Sequence, residues 1–135
     1  AGFIGSPAMN LREGRVVAKN GAIGATVGGV ALSLERYPFA TRPTDGQPIV
    51  VGLRPEHFGA HSETVADAAA TFELPVQYTE KTGGDATGYL KFNDDLLAVR
   101  MNPERVGGLS QGTPVRVSFP QSKLHLFDAQ SGRRL

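Results

Sequence analysis

The 135-residue chain carries 14 basic and 13 acidic residues for a formal net charge of +1, so it lacks the basic excess that phosphate neutralisation gives dedicated nucleic-acid binders. It contains no cysteine, which excludes disulfides, zinc ribbons and thiol chemistry, and no apolar run approaches the ~20 residues that span a bilayer as a helix. With 40% hydrophobic residues but 17 Gly and 9 Pro, it has material for one core and too much punctuation for long helices.

From the start of the chain, Phe3 to Leu11 reads as a short helical turn or an ordered arm. Ser6 before Pro7 fits an N-cap with proline at the first helical position, and Asn10 closes the turn. The opening residues lack the basic region and apolar core of a signal peptide. A first residue other than Met predicts a piece of something longer.

Period-2 patterns dominate after that. Arg15 to Lys19 predicts a strand, and Asn20-Gly21 is a strong hairpin signal. Ala22 to Val27 predicts the return strand, Gly28-Gly29 a second turn, and Val30 to Leu34 a third strand. Tyr37 to Gln47 holds two prolines and reads as a loop. Pro48 to Arg54 is an apolar, β-branched run that predicts a central strand. It should stop at Arg54, because the residue before a proline is held extended. His57 to Ala70 is polar and Ala-rich, a poor match to strand and a weak one to helix.

Thr71 to Glu80 restarts the β pattern, with Phe72, Leu74, Val76 and Tyr78 predicted on one core-facing side. Thr82 to Asp85 predicts a turn. Tyr89 to Phe92 and Leu96 to Met101 flank the hairpin signal Asn93-Asp94-Asp95, and Pro103 to Val106 suits one helical turn. Pro114 to Phe119 and Lys123 to Phe127 predict the last strands, and Asp128 to Gly132 a turn before Arg133-Arg134-Leu135. Short strands with frequent turns predict a small barrel or sandwich. Strands before and after the His57 to Ala70 stretch are free to pair across it, so it is not a firm domain boundary.

The chemistry-bearing patterns are weak. A phosphate-binding P-loop needs Gly-Lys followed by Ser or Thr, and the chain contains no Gly-Lys dipeptide. His57 and His61 have helical spacing for zinc with Glu56 or Glu63, but Gly59 between them weakens the helix, and exposed loop histidines are the simpler reading. Ser6 lies in Gly-Ser-Pro, outside the Gly-x-Ser-x-Gly turn of a hydrolase nucleophile. Asp94 and Asp95 are adjacent and would point to opposite faces of a strand, which suits a solvated turn better than paired catalysis. Stacking aromatics would need a basic groove to bind nucleic acid, and none is visible.

Three segments carry the reading further. Gly2 to Asn10 resembles the stretch that follows the nucleotide-binding domain in maltose-type ABC importer ATPases. Val51-Gly52-Leu53-Arg54-Pro55-Glu56-His57-Phe58 resembles the Gly-Ile-Arg-Pro-Glu motif of their regulatory domain. Ser122 to Asp128 with Gly132 to Leu135 resembles their C-terminal ending. The chain departs from the pattern at Thr82 to Thr87, where relatives often read Leu-Gly-x-Glu.

The resemblance implies a mainly β fold of OB-like small barrels of the TOBE type, with one or two short helical turns. It implies one regulatory domain over residues 1–135, with 1–12 as the junction from a nucleotide-binding domain that would hold ATP and magnesium. This chain would hold no cofactor or metal and would not be an enzyme. Its motif residues, structural in role, are Gly5, Ser6, Pro7, Asn10, Arg54, Pro55, Glu56, Lys123, Leu124, His125, Phe127 and Asp128. The implied function is regulation and dimerisation of the ATP-binding subunit of a carbohydrate importer. Its partners would be a second copy, the transmembrane permease subunits and a regulatory protein, with no nucleic acid. It would work in the cytoplasm, on the inner face of the inner membrane. The alternative is an OB module that binds a small oxyanion or sugar.

Overall fold

The computed structural model describes residues 8–58, 65 and 67–135. Its strands are β1 (Asn10–Lys19), β2 (Ala22–Val27), β3 (Val30–Ser33), β4 (Pro48–Leu53), β5 (Ala68–Thr82), β6 (Asp85–Phe92), β7 (Asp95–Met101), β8 (Pro114–Pro120) and β9 (His125–Asp128). One helical turn, α1 (Pro103–Val106), and two 3₁₀ turns, Pro55–His57 and Gln121–Lys123, complete the described elements. The fold is thus mainly β, as the OB-like reading expects.

Two antiparallel sheets form. The first has the order β3-β2-β1-β4-β9 and the second β7-β6-β5-β8. Consecutive strands pair through tight turns, of which Asn20-Gly21 is the clearest: both residues have positive φ, 55° and 82°, the conformation that a two-residue hairpin matched to strand twist requires. Three pairings are not consecutive: β4 returns to β1, β8 returns to β5, and β9 returns to β4, so that Ile49 faces Asp128 and Gly52 faces His125. The whole second sheet is therefore inserted between two neighbouring strands of the first.

The core lies between the sheets. In β4 the side chains of Ile49, Val51 and Leu53 point inward and are buried, as period-2 alternation dictates. They share one continuous cluster with Leu32 and Leu126 of the first sheet, Leu34 just after β3, and Leu74, Leu90, Val99 and Val117 of the second sheet. Each fully buried Leu, Ile or Val contributes about 1.5–3 kcal/mol relative to exposure. Edge-to-face aromatic pairs, Phe58–Phe119 at 5.5 Å and Phe72–Phe119 at 6.3 Å, add to it.

Four local expectations are corrected. Asn10 and Leu11 do not close a helical turn: they open β1 opposite Leu53 and Gly52, because the Asn10 side chain is held by partners in both sheets. The rest of that expected turn, Phe3 to Pro7, lies outside the described residues. Ala68 to Ala70 are strand, since pairing with Phe119 and Pro120 of β8 overrides their low intrinsic preference. Lys123 ends a 3₁₀ turn and does not start the last strand: the Leu124 amide donates to the Gln121 carbonyl at 3.2 Å, and β9 begins at His125. Tyr78 leaves the core face. The β5–β6 register shifts between Val76 and Tyr78, so Val76 is buried while Tyr78 is 48% exposed.

Candidate functional site

The first structural centre is Asn10. Its Nδ2 donates to the Leu53 carbonyl at 3.1 Å and to the Ala98 carbonyl at 2.9 Å, while its Oδ1 accepts from the Ala98 amide at 2.9 Å. β7 is an edge strand, and its outer N–H and C=O groups need partners. The Asn10 amide, with a donor and an acceptor side by side, supplies both to Ala98 as a neighbouring strand would. One buried side chain thereby joins β1, β4 and β7. Close by, the Arg12 guanidinium donates to the Leu96 carbonyl and lies 3.5 Å from Asp95.

The second centre is the corner after β4. Arg54 is extended, with φ −74° and ψ 145°, as its position before proline demands. Pro55 is buried at the first position of the 3₁₀ turn, and the His57 amide donates to the Arg54 carbonyl at 3.0 Å. Glu56 points to solvent. Because Val51 and Leu53 face the core, Val50, Gly52 and Arg54 face outward. Across the ladder, His125 lies opposite Gly52 and Phe127 opposite Val50. Arg134 in turn bridges to Phe127 and sets its guanidinium 5.1 Å from the centre of the Phe127 ring, a cation–π contact. Gly52 lacks a side chain where the Met9 and Leu11 side chains cross the strand.

This outward patch is electrostatically uneven. Burial lowers the His125 pKa, and the nearby charges of Arg134, Arg54 and His57 push it the same way. Nδ1 of His57 and Nδ1 of His125 are both out of water with no hydrogen-bond partner among the described residues.

The motif residues therefore divide. Asn10, Arg54, Pro55 and His125 lie around the end of β4, Phe127 lies opposite Val50 in its first half, and Leu124 is buried. Lys123 is exposed and makes no ion pair among the described residues. Asp128 works at the other end of β9, where it accepts from Gln47 Nε2 at 3.0 Å and from the Ser131 amide at 2.8 Å; the Ser131 hydrogen bonds, then Gln47, hold its carboxyl below the usual range. Gly5, Ser6 and Pro7 lie outside the described residues, as does His61 of the zinc spacing. Sequence reasoning missed Arg134, Arg12 and the grouping of His57 with His125. The signal available was the parity of β9 against β4, which only becomes usable once their pairing is known.

A small, partly open pocket of about 50 Å³ is lined by residues of both sheets such as Phe72, Phe92 and Phe119, by Phe58, and by Arg12. It is far below the ~300–1,000 Å³ of ordinary ligand pockets. Elsewhere, Tyr78 stacks on Tyr89 with ring centres 4.5 Å apart, and Tyr89 donates to Glu80 at 3.0 Å. Burial first, then the Glu80 carboxylate, pushes the Tyr89 hydroxyl up to about 12.

Comparison with known proteins agrees with this architecture. The model for the MalK OB fold domain matches residues 5–58, and the model for the TOBE domain matches residues 51–127. The chain is 36% identical to the sn-glycerol-3-phosphate import ATP-binding protein UgpC of Burkholderia cenocepacia, over 99% of this chain and 36% of that protein. It is 34% identical to UgpC of Escherichia coli O157:H7, over 100% of this chain and 35% of that protein. It is 34% identical to the sulfoquinovosyl glycerol transport ATP-binding protein SmoE of Agrobacterium fabrum, over 99% of this chain and 35% of that protein. The chain thus spans little more than a third of the length of these relatives. Among solved structures, the cytoplasmic molybdate-binding protein ModG shares the fold, with TM-score 0.70 at 17% identity over 87% of this chain and 94% of that one. With the TOBE model matched over more than half of its residues, this chain belongs to the TOBE domain family.

Proposed function

We propose that the chain is the regulatory and dimerisation domain of the ATP-binding subunit of an ABC importer for a carbohydrate, a polyol or glycerol phosphate. The observation that supports this most is its alignment, over essentially its full length, with about a third of several import ATP-binding proteins. In this reading the remainder of the parent subunit binds ATP and magnesium and contacts the transmembrane permease subunits. It sits on the cytoplasmic face of the inner membrane, and this domain hydrolyses nothing.

ATP hydrolysis by a pair of such subunits requires closing and reopening around nucleotide. Domains that stay paired hold the open subunits at an effective concentration on the order of millimolar, so reclosure needs no diffusional search. A regulator that prefers the open state would bind the same domain and hold it there. Light scattering or sedimentation of the 135-residue chain at high micromolar concentration tests the tether. A concentration-dependent dimer is expected; a strict monomer counts against it, and ATP hydrolysis by the chain alone would overturn the assignment.

A further inference from the structure

We propose that the cleft between the β2–β3 turn and the β6–β7 turn is a docking site for a basic peptide segment of a partner protein, one that carries an aliphatic side chain beside lysine or arginine. The inference goes beyond the tethering role and does not rest on it. The cleft has two adjoining parts. The outer part, of about 210 Å³, lies against Glu13, Gly28, Asn93, Asp94 and Asp95. The inner part is the small apolar pocket of about 50 Å³. Arg12, Val27 and Phe92 wall both parts. The two turns are held against each other, since Asn93 Nδ2 donates to the Gly28 carbonyl at 3.1 Å. Glycine permits that approach: a Cβ at position 28 would run into the Phe92 ring and the Asn93 amide. A cleft fixed in this way loses less entropy on binding than a mobile one.

Volume and charge together choose the occupant. Beyond the shared walls, the inner pocket is lined by Val30, Leu32, Phe72 and Leu97. A water-sized or methyl-sized unit takes about 30 Å³, so the pocket suits the branched end of a Val, Ile or Leu side chain and is too small for an aromatic ring. The rim is acidic. Glu13, Asp94 and Asp95 stand there against one cation, Arg12, and that cation is already engaged. It donates to the Leu11 and Leu96 carbonyls and lies 3.5 Å from Asp95. Glu13 and Asp94 are exposed and make no ion pair among the described residues. Two carboxylates are therefore open to lysine or arginine from a partner. Exposed ion pairs are individually weak, so the rim selects and orients a basic segment while the aliphatic tip supplies most of the affinity.

The test is an NMR titration of the full 135-residue chain with acetyl-Lys-Leu-Lys-Lys-amide, following methyl groups and backbone amides at constant ionic strength. Saturable shifts are expected at the methyls of Val27, Val30 and Leu97 and at the amides of Glu13 and Asp94. Acetyl-Lys-Ser-Lys-Lys-amide should bind about tenfold more weakly, the equivalent of two buried methyl-sized groups, and acetyl-Glu-Leu-Glu-Glu-amide should not compete. The Glu13→Gln/Asp94→Asn pair should weaken binding roughly threefold or more and remove most of its salt dependence. Glu73→Gln, at an exposed position of β5, should leave it unchanged. Should the double variant unfold, Glu13→Gln alone carries the comparison. Equal binding of the Leu and Ser peptides, equal affinity in wild type and the carboxylate variants, or no saturable shift at these residues would overturn the proposal. So would shifts at the same residues that grow with protein concentration in the absence of peptide, since they would seat a second copy of this chain in the cleft.

Discussion

At the scale of single residues, Asn10 concentrates more structural consequence than any other side chain in the described fold. It is 5% exposed, and its three hydrogen bonds reach Leu53 and Ala98. Removing it leaves the buried amide and carbonyl of Ala98 without partners, and each orphaned group costs about 1–3 kcal/mol. Asn10→Ala should therefore destabilise the chain by roughly 2–4 kcal/mol, read as a lower urea midpoint with little change in slope. Asn10→Asp keeps the acceptor but loses the donor to two carbonyls, and should rescue little. His125 supports a second expectation. Its pKa is lowered in the folded chain, by burial first and then by Arg134, Arg54 and His57, so the unfolded chain takes up this proton first as pH falls. The stability that neutral His125 contributes is complete above about pH 6.5 and is lost progressively below it. Urea midpoints should drop as pH falls below about 6.5, and His125→Gln should flatten that slope. An undiminished slope in the variant would assign the effect elsewhere.

At the scale of elements, hairpins were the most legible features. Asn20-Gly21, Gly28-Gly29 and Asn93-Asp94 all mark observed turns, because positive φ at a two-residue loop is a local demand that few residues meet. The apolar, β-branched run from Pro48 also marked β4 as a central strand, with neighbours on both sides. What alternation could not show was a break in its own period. The irregularity between Val76 and Tyr78 is set by pairing with β6, and it moves Tyr78 onto the surface, where it stacks on Tyr89. The strand at Ala68 to Ala70 is likewise set by its partner β8. Small residues inside strands have a related role. At Gly24 in β2, paired with Ser33 of β3, a Cβ would run into the Leu32 carbonyl oxygen. That neighbour is backbone and cannot swing aside. Gly24→Ala should therefore push β3 from β2 and destabilise by about 1–3 kcal/mol, whereas Gly21→Ala has open space around it and is strained only by its φ of 82°. Comparing thermal midpoints of the two variants separates steric crowding from backbone strain.

At the scale of the whole molecule, family character was visible in three short segments, and their described parts meet in space, Asn10 lying opposite Leu53. The Arg54-Pro55-Glu56 corner and the His125 to Arg134 ending lie side by side because β9 pairs with β4. The place of His125 opposite Gly52 was not legible, since it depends on a contact between strands more than 70 residues apart. The matched family segments, 5–58 and 51–127, overlap at this same corner. The tethering role predicts that substitutions on the outward face of the first sheet, such as Leu11→Glu at a 51% exposed position, change self-association without unfolding the chain. Light scattering read beside circular dichroism would show whether the two separate.

The return of β9 also has a consequence in time. As the chain is made from its N-terminus, β1 to β4 emerge first and can pair at once, since their contacts are local. β4 then keeps one edge open while the entire second sheet is synthesised, and the Asn10 amide waits for Ala98, 88 residues away. Only when His125 to Asp128 appear is that edge covered. Open edges on nascent chains invite pairing with neighbours. The interval between β4 and β9 is therefore the stretch of synthesis in which this protein is most exposed to misassembly, and a ribosome paused there should yield more aggregate than one paused after the last strand.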